Sequence, residues 1–231
     1  MANELIAPKE QGGDALLSPK GLQRRKFLAM FAGTAAVATI AGCSKDDSSD
    51  GGIYLGKGDI GILNYAYALE QLEAAFYTQV VMSLYSGVTA AEQAMLTDIR
   101  DHEIAHREFF KNALGTSAIP ALEVNFSSVN FSSRDSVLGT AKVFEDLGVS
   151  AYNGAGQLIT DPQYLLLAGK IVSVEARHAA LIRDLISNGS FADNTVVDMN
   201  GLDKSNPPNV VLSAASGFLK SKLNARDLPT S

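Results

Sequence analysis

Two of the three histidines in this 231-residue chain follow a glutamate by three residues, in Glu103-Ile-Ala-His106 and Glu175-Ala-Arg-His178. In a helix, positions i and i+3 leave the same face, so one carboxylate and one imidazole can grip a single ion. The chain holds ten glutamates, and chance places one three residues before a given histidine roughly 4% of the time. Two further segments echo each other: Glu70-Gln-Leu-Glu-Ala-Ala-Phe-Tyr77 and Glu145-Asp-Leu-Gly-Val-Ser-Ala-Tyr152. Both put a tyrosine seven residues after a glutamate, on one helical face. The chain thus reads as two approximate repeats, each Glu, Tyr, then Glu-x-x-His. Paired in space, they would supply Glu70, Glu103, Glu145, Glu175, His106 and His178 to one centre. Oxygen-rich ligands with two imidazoles suit two Fe ions, or Mn, better than tetrahedral zinc.

Isolated buried carboxylates are costly and persist when paired or bound to metal. The competing reading is a helical bundle whose acids pair with Arg or Tyr, and Arg100, Arg107 and Arg177 lie on the right segments. His102 abuts Glu103 and reads as a supporting group rather than a ligand. Glu73 faces the core one turn from Glu70. The tyrosine spacing favours Glu70 as the ligand, while the equal 30-residue spacings Glu73–Glu103 and Glu145–Glu175 favour Glu73. Glu70 is the primary expectation, with Glu73 extra or alternative.

Four segments with helical periodicity must position these residues. The first runs from about Asp59, a candidate N-cap, to Tyr85 before Gly87. The second opens on Thr89-x-x-Glu92, a capping-box pattern, and ends before Gly115. The third spans about Ser133 to Gln157. The fourth starts at Asp161-Pro162, an N-cap with proline at the first helical position, and ends near Asn188-Gly189. Short connections make hairpins of helices one and two and of three and four. Thr116 to Ser132 is long enough to cross the length of a 25-residue helix. The expected fold is therefore all-α: a four-helix bundle of two antiparallel hairpins with one long crossover. The bundle occupies residues 57–189. Residues 190–231 form a loop and an amphipathic helix, about Val210 to Asn224, packed outside.

Residues 1–42 read as an address. Arg24-Arg25-Lys26-Phe27-Leu28 precedes an apolar run to Ala41 that is shorter than the ~20 residues of a membrane span. The pair resembles a twin-arginine export signal. Cys43, the only cysteine, follows Ile40-Ala41-Gly42 as in a bacterial lipobox, which would make it the lipidated first residue of the mature protein. Residues 43–56 then form a flexible acidic tether. Ser44-Lys45-Asp46-Asp47 resembles acidic surface-export signals of some Gram-negative bacteria. These resemblances imply an exported protein, lipid-anchored in the cell envelope at the periplasmic or outer membrane or the surface. Without residues 1–42 the chain keeps 14 basic and 22 acidic residues, a net −8. That balance argues against nucleic acid and against direct binding to anionic membrane, leaving the lipid as the membrane contact.

Residues 63–77, Glu103-Ile-Ala-His106, residues 144–152 and Glu175-Ala-Arg-His178 together resemble the ferritin-like superfamily. More closely they are similar to exported ferritin-like domain proteins often labelled desiccation-related. The resemblance covers about residues 55–225. It implies Glu70 and Glu145 as terminal ligands, Glu103 and Glu175 as bridges between two metals, and one of His106 and His178 on each. It also implies that Tyr77 and Tyr152 hydrogen-bond ligand carboxylates. Two functions follow as expectations. One is oxidoreductase chemistry at a di-iron or dimanganese centre with O2 or H2O2: ferroxidase, peroxidase or catalase-like. The other is a non-catalytic, stress-protective or structural envelope lipoprotein whose metal is structural or absent. The oligomeric state stays open, a dimer included.

Overall fold

The computed structural model describes residues 51–230. The export signal expected over 1–42 and the lipidation site Cys43 lie outside them. Among the described residues there are five α-helices: α1 (Gly58–Met82), α2 (Ala90–Leu114), α3 (Arg134–Gly156), α4 (Pro162–Ile186) and α5 (Pro208–Ala215). Two short strands, β1 (Ile53–Tyr54) and β2 (Leu223–Asn224), pair in parallel. No helix among the described residues is long and apolar enough to cross a membrane.

The helix starts follow local chemistry. Thr89 accepts from the Glu92 amide at 3.1 Å, and the Glu92 carboxylate accepts from the Thr89 amide at 3.2 Å, so the capping box forms. Ser133 caps α3, and Asp161 caps α4 with Pro162 in the first turn. Asp59 departs from expectation. It lies inside the first turn of α1 and accepts from Thr160 and Asp161 at 2.8–2.9 Å. The cap residue Lys57 has no side-chain capping bond, so the carboxylate staples α1 to the entry of α4 instead. α1 also stops at Met82, short of Tyr85, with Ser83 closing the helix through the Gln79 carbonyl.

α1 packs along α2, and α3 along α4, as the short connections require. α1 and α3 also approach closely, whereas the backbones of α2 and α4 stay further apart. α1 is the central element, buried on nearly every side. Its polar residues hold the crossover against it. Asn64 donates to the Leu55 and Ser117 carbonyls and accepts from the Ile119 amide, and Gln71 accepts from the Leu122 amide. These bonds satisfy backbone groups that a buried link would otherwise leave unpaired. Beyond Gln71 the link inserts Phe126 and Phe131 against Phe76 and Phe144, with Phe218 edge-on to Phe144. The α1–α3 side is thereby sealed by aromatic rings.

Residues after α4 wrap the bundle. Buried Arg183 donates to both Asp146 oxygens at 2.7 and 2.8 Å and to Thr195 at 2.9 Å. The loop then crosses α3, where the Asn206 amide donates to the Ser150 carbonyl at 2.9 Å. A Cβ at Gly154 would lie 1.8 Å from the Asn206 carbonyl oxygen. That contact is with backbone and cannot be relieved by a rotamer. We expect Gly154→Ala to lift the loop from α3 and cost about 1–3 kcal/mol, read as a lower urea midpoint.

The C-terminal amphipathic helix expected over Val210 to Asn224 is shorter in the structure. It ends at Ala215, gives way to a 3-10 turn, and the chain extends into β2. The Ile53 amide donates to the Lys222 carbonyl at 2.8 Å and the Leu55 amide to the Asn224 carbonyl at 3.0 Å, and Leu55 is fully buried. The tether expected over 43–56 therefore overlaps the folded body at 53–56.

Candidate metal centre

The six residues read from the repeats meet at the centre of the bundle. Each comes from one of the four long helices: Glu70 from α1, Glu103 and His106 from α2, Glu145 from α3, Glu175 and His178 from α4. The four carboxylates are 0% exposed and His178 is 4% exposed. Their donor atoms form two groups, Glu70–Glu103–His106–Glu175 and Glu103–Glu145–Glu175–His178, with the atoms of each group within 4.8 Å of one another. Glu103 and Glu175 belong to both.

The contacts inside the groups are close but poorly directed for hydrogen bonding. His106 Nδ1 lies 2.9 Å from Glu175 and 3.5 Å from Glu70, and His178 Nδ1 lies 2.9 Å from Glu103. Even so, eight buried atoms of these six residues have no hydrogen-bond partner: both oxygens of Glu103 and of Glu175, one each of Glu70 and Glu145, and the two Nδ1 atoms. An unsatisfied buried polar group costs about 1–3 kcal/mol, and more when charged. Eight such atoms pointing into one small region form a donor set of the kind that surrounds cations.

The arginines of the competing reading turn elsewhere. Arg100 pairs with Asp101, Arg107 with Glu108, and Arg177 with Ser173. The tyrosines do reach the acids. Tyr77 donates to Glu145 at 2.5 Å, and Tyr152 donates to Glu70. Each tyrosine thus orients the carboxylate on the opposite hairpin and leaves that carboxylate's second oxygen free. His102 is exposed and meets His178, ring nitrogen to ring nitrogen, at 2.9 Å.

Electrostatics follow from the crowding. Burial pushes Glu70 up to about 7 against the pull of His106. Burial, and then neighbouring carboxylates, raise Glu73 and Glu175 well above the carboxylate range. Burial raises Glu145 too, with His178 pulling against it. Burial acts in the same sense on Glu103, but His106 and His178 outweigh it and hold the group at about 2. His178 is lifted to about 10: burial opposes its charge, and Glu103 and Glu145 prevail. The metal-free centre therefore stores protons that a cation would displace.

The structure places Glu70 and Glu73 differently around the cluster. Glu70 enters the group with His106, and Glu73 enters neither group. Glu73 is 5% exposed and its carboxylate sits against Gly148, where a Cβ would lie 3.2 Å from Glu73 Oε1 and 3.5 Å from Glu175 Oε2. Gly148 is the residue that sequence reasoning missed. The signal was present in the echo between helices one and three, since the position matching Glu73 is this glycine.

A search of curated proteins finds no match to the chain. The family model described as a ferritin-like domain matches residues 58–188, which is α1 through the end of α4. The wrapping segment after residue 189 lies outside the match, which is shorter than the 55–225 resemblance. Covering more than half of the 231 residues, and the four helices that carry the carboxylate and imidazole cluster, that match shows that the chain belongs to the ferritin-like domain family.

Proposed function

We propose that the cluster holds two iron ions, or manganese, and that the protein is an oxidoreductase acting on O2 or H2O2. The observation that carries this reading is the set of eight unpartnered buried donor atoms in two groups that share Glu103 and Glu175. Glu70 and His106 would hold one ion and Glu145 and His178 the other, with Glu103 and Glu175, which belong to both groups, available to each. Two ions held in this way would supply the redox chemistry, exchanging electrons with the small oxidant. The chain supplies position and exclusion of water. Tyr77 and Tyr152 hold the terminal carboxylates in register, and the aromatic rings of the crossover close the α1–α3 side. The His106 side chain, 13% exposed, is the most open edge of the six, so a small molecule would approach between α2 and α4.

The second reading is a metal with a structural role in a stress-protective protein. The lack of any solvent exposure at the four carboxylates favours it. Loading the protein with Fe(II) or Mn(II) and following O2 or H2O2 separates the two. Consumption at least tenfold above Glu103→Ala supports the enzyme; equal rates with metal bound support the structural role. Export and lipid anchoring at Cys43 belong to the proposal through the sequence motifs alone, and mass measurement of the membrane-extracted protein tests them.

A further inference from the structure

The two halves of the centre are related by sequence as well as by space. A shift of 75 residues carries Glu70 onto Glu145 and Tyr77 onto Tyr152, and a shift of 72 carries Glu103 and His106 onto Glu175 and His178. The same shifts carry Glu73 onto Gly148 and His102 onto Val174, so the repeat breaks at two positions around the cluster. The first break adds a carboxylate beside Glu175, which both donor groups share and which therefore does not distinguish them. The second break touches one imidazole only.

His178 turns Nδ1 toward Glu103 and Glu145 and Nε2 toward His102 Nδ1, 2.9 Å away. The two rings lie 9° from parallel with centroids 5.2 Å apart. With nitrogens that close, this separation places the rings edge to edge in nearly one plane, where an N–H and a lone pair meet head-on. An imidazole that ligates through Nδ1 carries its hydrogen on Nε2. With a metal on Nδ1, His178 would donate to His102, which would fix both its tautomer and its ring angle. His106 has no such neighbour among the described residues: the matching position on α4 is Val174, whose side chain has no acceptor. Partners of this kind are worth about 10–100-fold in metal affinity.

We infer that the two metal positions are unequal and that His102 sets the order, so that the position at His178 fills first and the one at His106 second. This inference rests on the dinuclear reading of the cluster. His102 acts through His178 and is a positioning residue. It touches neither ion.

The test is an anaerobic titration of the metal-free full-length chain with Co(II), followed by visible absorption and calorimetry. The wild type is expected to bind two ions in two steps at least tenfold apart. His102→Val, which installs the counterpart residue type, should weaken the first step 10–100-fold, leave the second in place and still reach two ions. His102→Asn should restore the first step, because its Oδ1 takes the place of Nδ1 as acceptor. His106→Ala should remove the second step and keep the first. Since His102 is exposed, the metal-free His102 variants should melt with the wild type. Two ions bound in one step, or a His102→Val isotherm that overlays the wild type, overturns the inference and leaves the dinuclear reading standing. No Co(II) bound by the wild type overturns both.

Discussion

Glu175→Ala is expected to empty both metal positions at once, taking the protein from about two ions per chain to none at micromolar free metal. Glu103→Ala should behave the same way. The reason is membership: these two carboxylates alone belong to both donor groups, so deleting either leaves two incomplete sets. His178→Ala should lose the ion on its own side, and His102→Ala should still reach two ions at saturation. Neither oxygen of Glu103 or of Glu175 has a hydrogen-bond partner, and the imidazoles that approach them, His178 and His106, belong to the same cluster. Elemental analysis after anaerobic Fe(II) loading and desalting reads the outcome. Full stoichiometry in Glu175→Ala would remove the bridging assignment.

The second large effect is on stability. A cation that binds the folded chain and not the unfolded one adds about 2.7–4.1 kcal/mol per site at one hundred to one thousand times Kd. At about 2–4 °C per kcal/mol for a body of this size, two sites should raise Tm by about 10–30 °C. The increment should grow with pH. Burial lifts Glu70 from 4.5 to about 7, so the folded metal-free chain keeps a proton that the unfolded chain gives up near 4.5. That contribution to stability is lost as pH rises through 7. His178 moves from 6.5 to about 10 because Glu103 and Glu145 outweigh its burial, so its contribution is full below 6.5 and lost as pH rises through 10. Both trends weaken the metal-free protein between about pH 5 and 10, and metal displaces the same protons. Calorimetric scans with and without Mn(II) at pH 6 and 8 should show the larger gap at pH 8. An equal gap at both values would contradict the proton storage.

Much of the centre was legible because its residues defy the pattern around them. Glu103, Glu175 and the paired histidines stand where a helix should present apolar side chains to a core, and their spacing repeats. The caps at Thr89 and Asp161 were legible because they act over three and two residues. What the sequence hid is what depends on tertiary approach. Asp59 looks like a cap and instead ties two helices together, because Thr160 and Asp161 arrive from a hundred residues away. Gly148 carries no side chain to announce itself, yet a Cβ there would crowd the Glu73 and Glu175 carboxylates. The stretch expected as a helix to Asn224 leaves the helix at Ala215; Leu219 then bridges Val124 of the crossover, and residues 223–224 pair with β1, partners that lie far away in sequence.

The pairing of β1 with β2 also gives the folded body the path of a ring. Tyr54 donates to Asp227 at 2.6 Å, and Leu228 lies against Gly61 in the first turn of α1, so the first and last described segments of this body sit side by side. A short linker joining them would leave every helix contact in place. The order of the helices along the chain is then a matter of where the ring is cut. A circular permutant opened at the exposed tip of the crossover, between Ser127 and Ser128, would synthesise α3 and α4 first and present the same six clustered side chains.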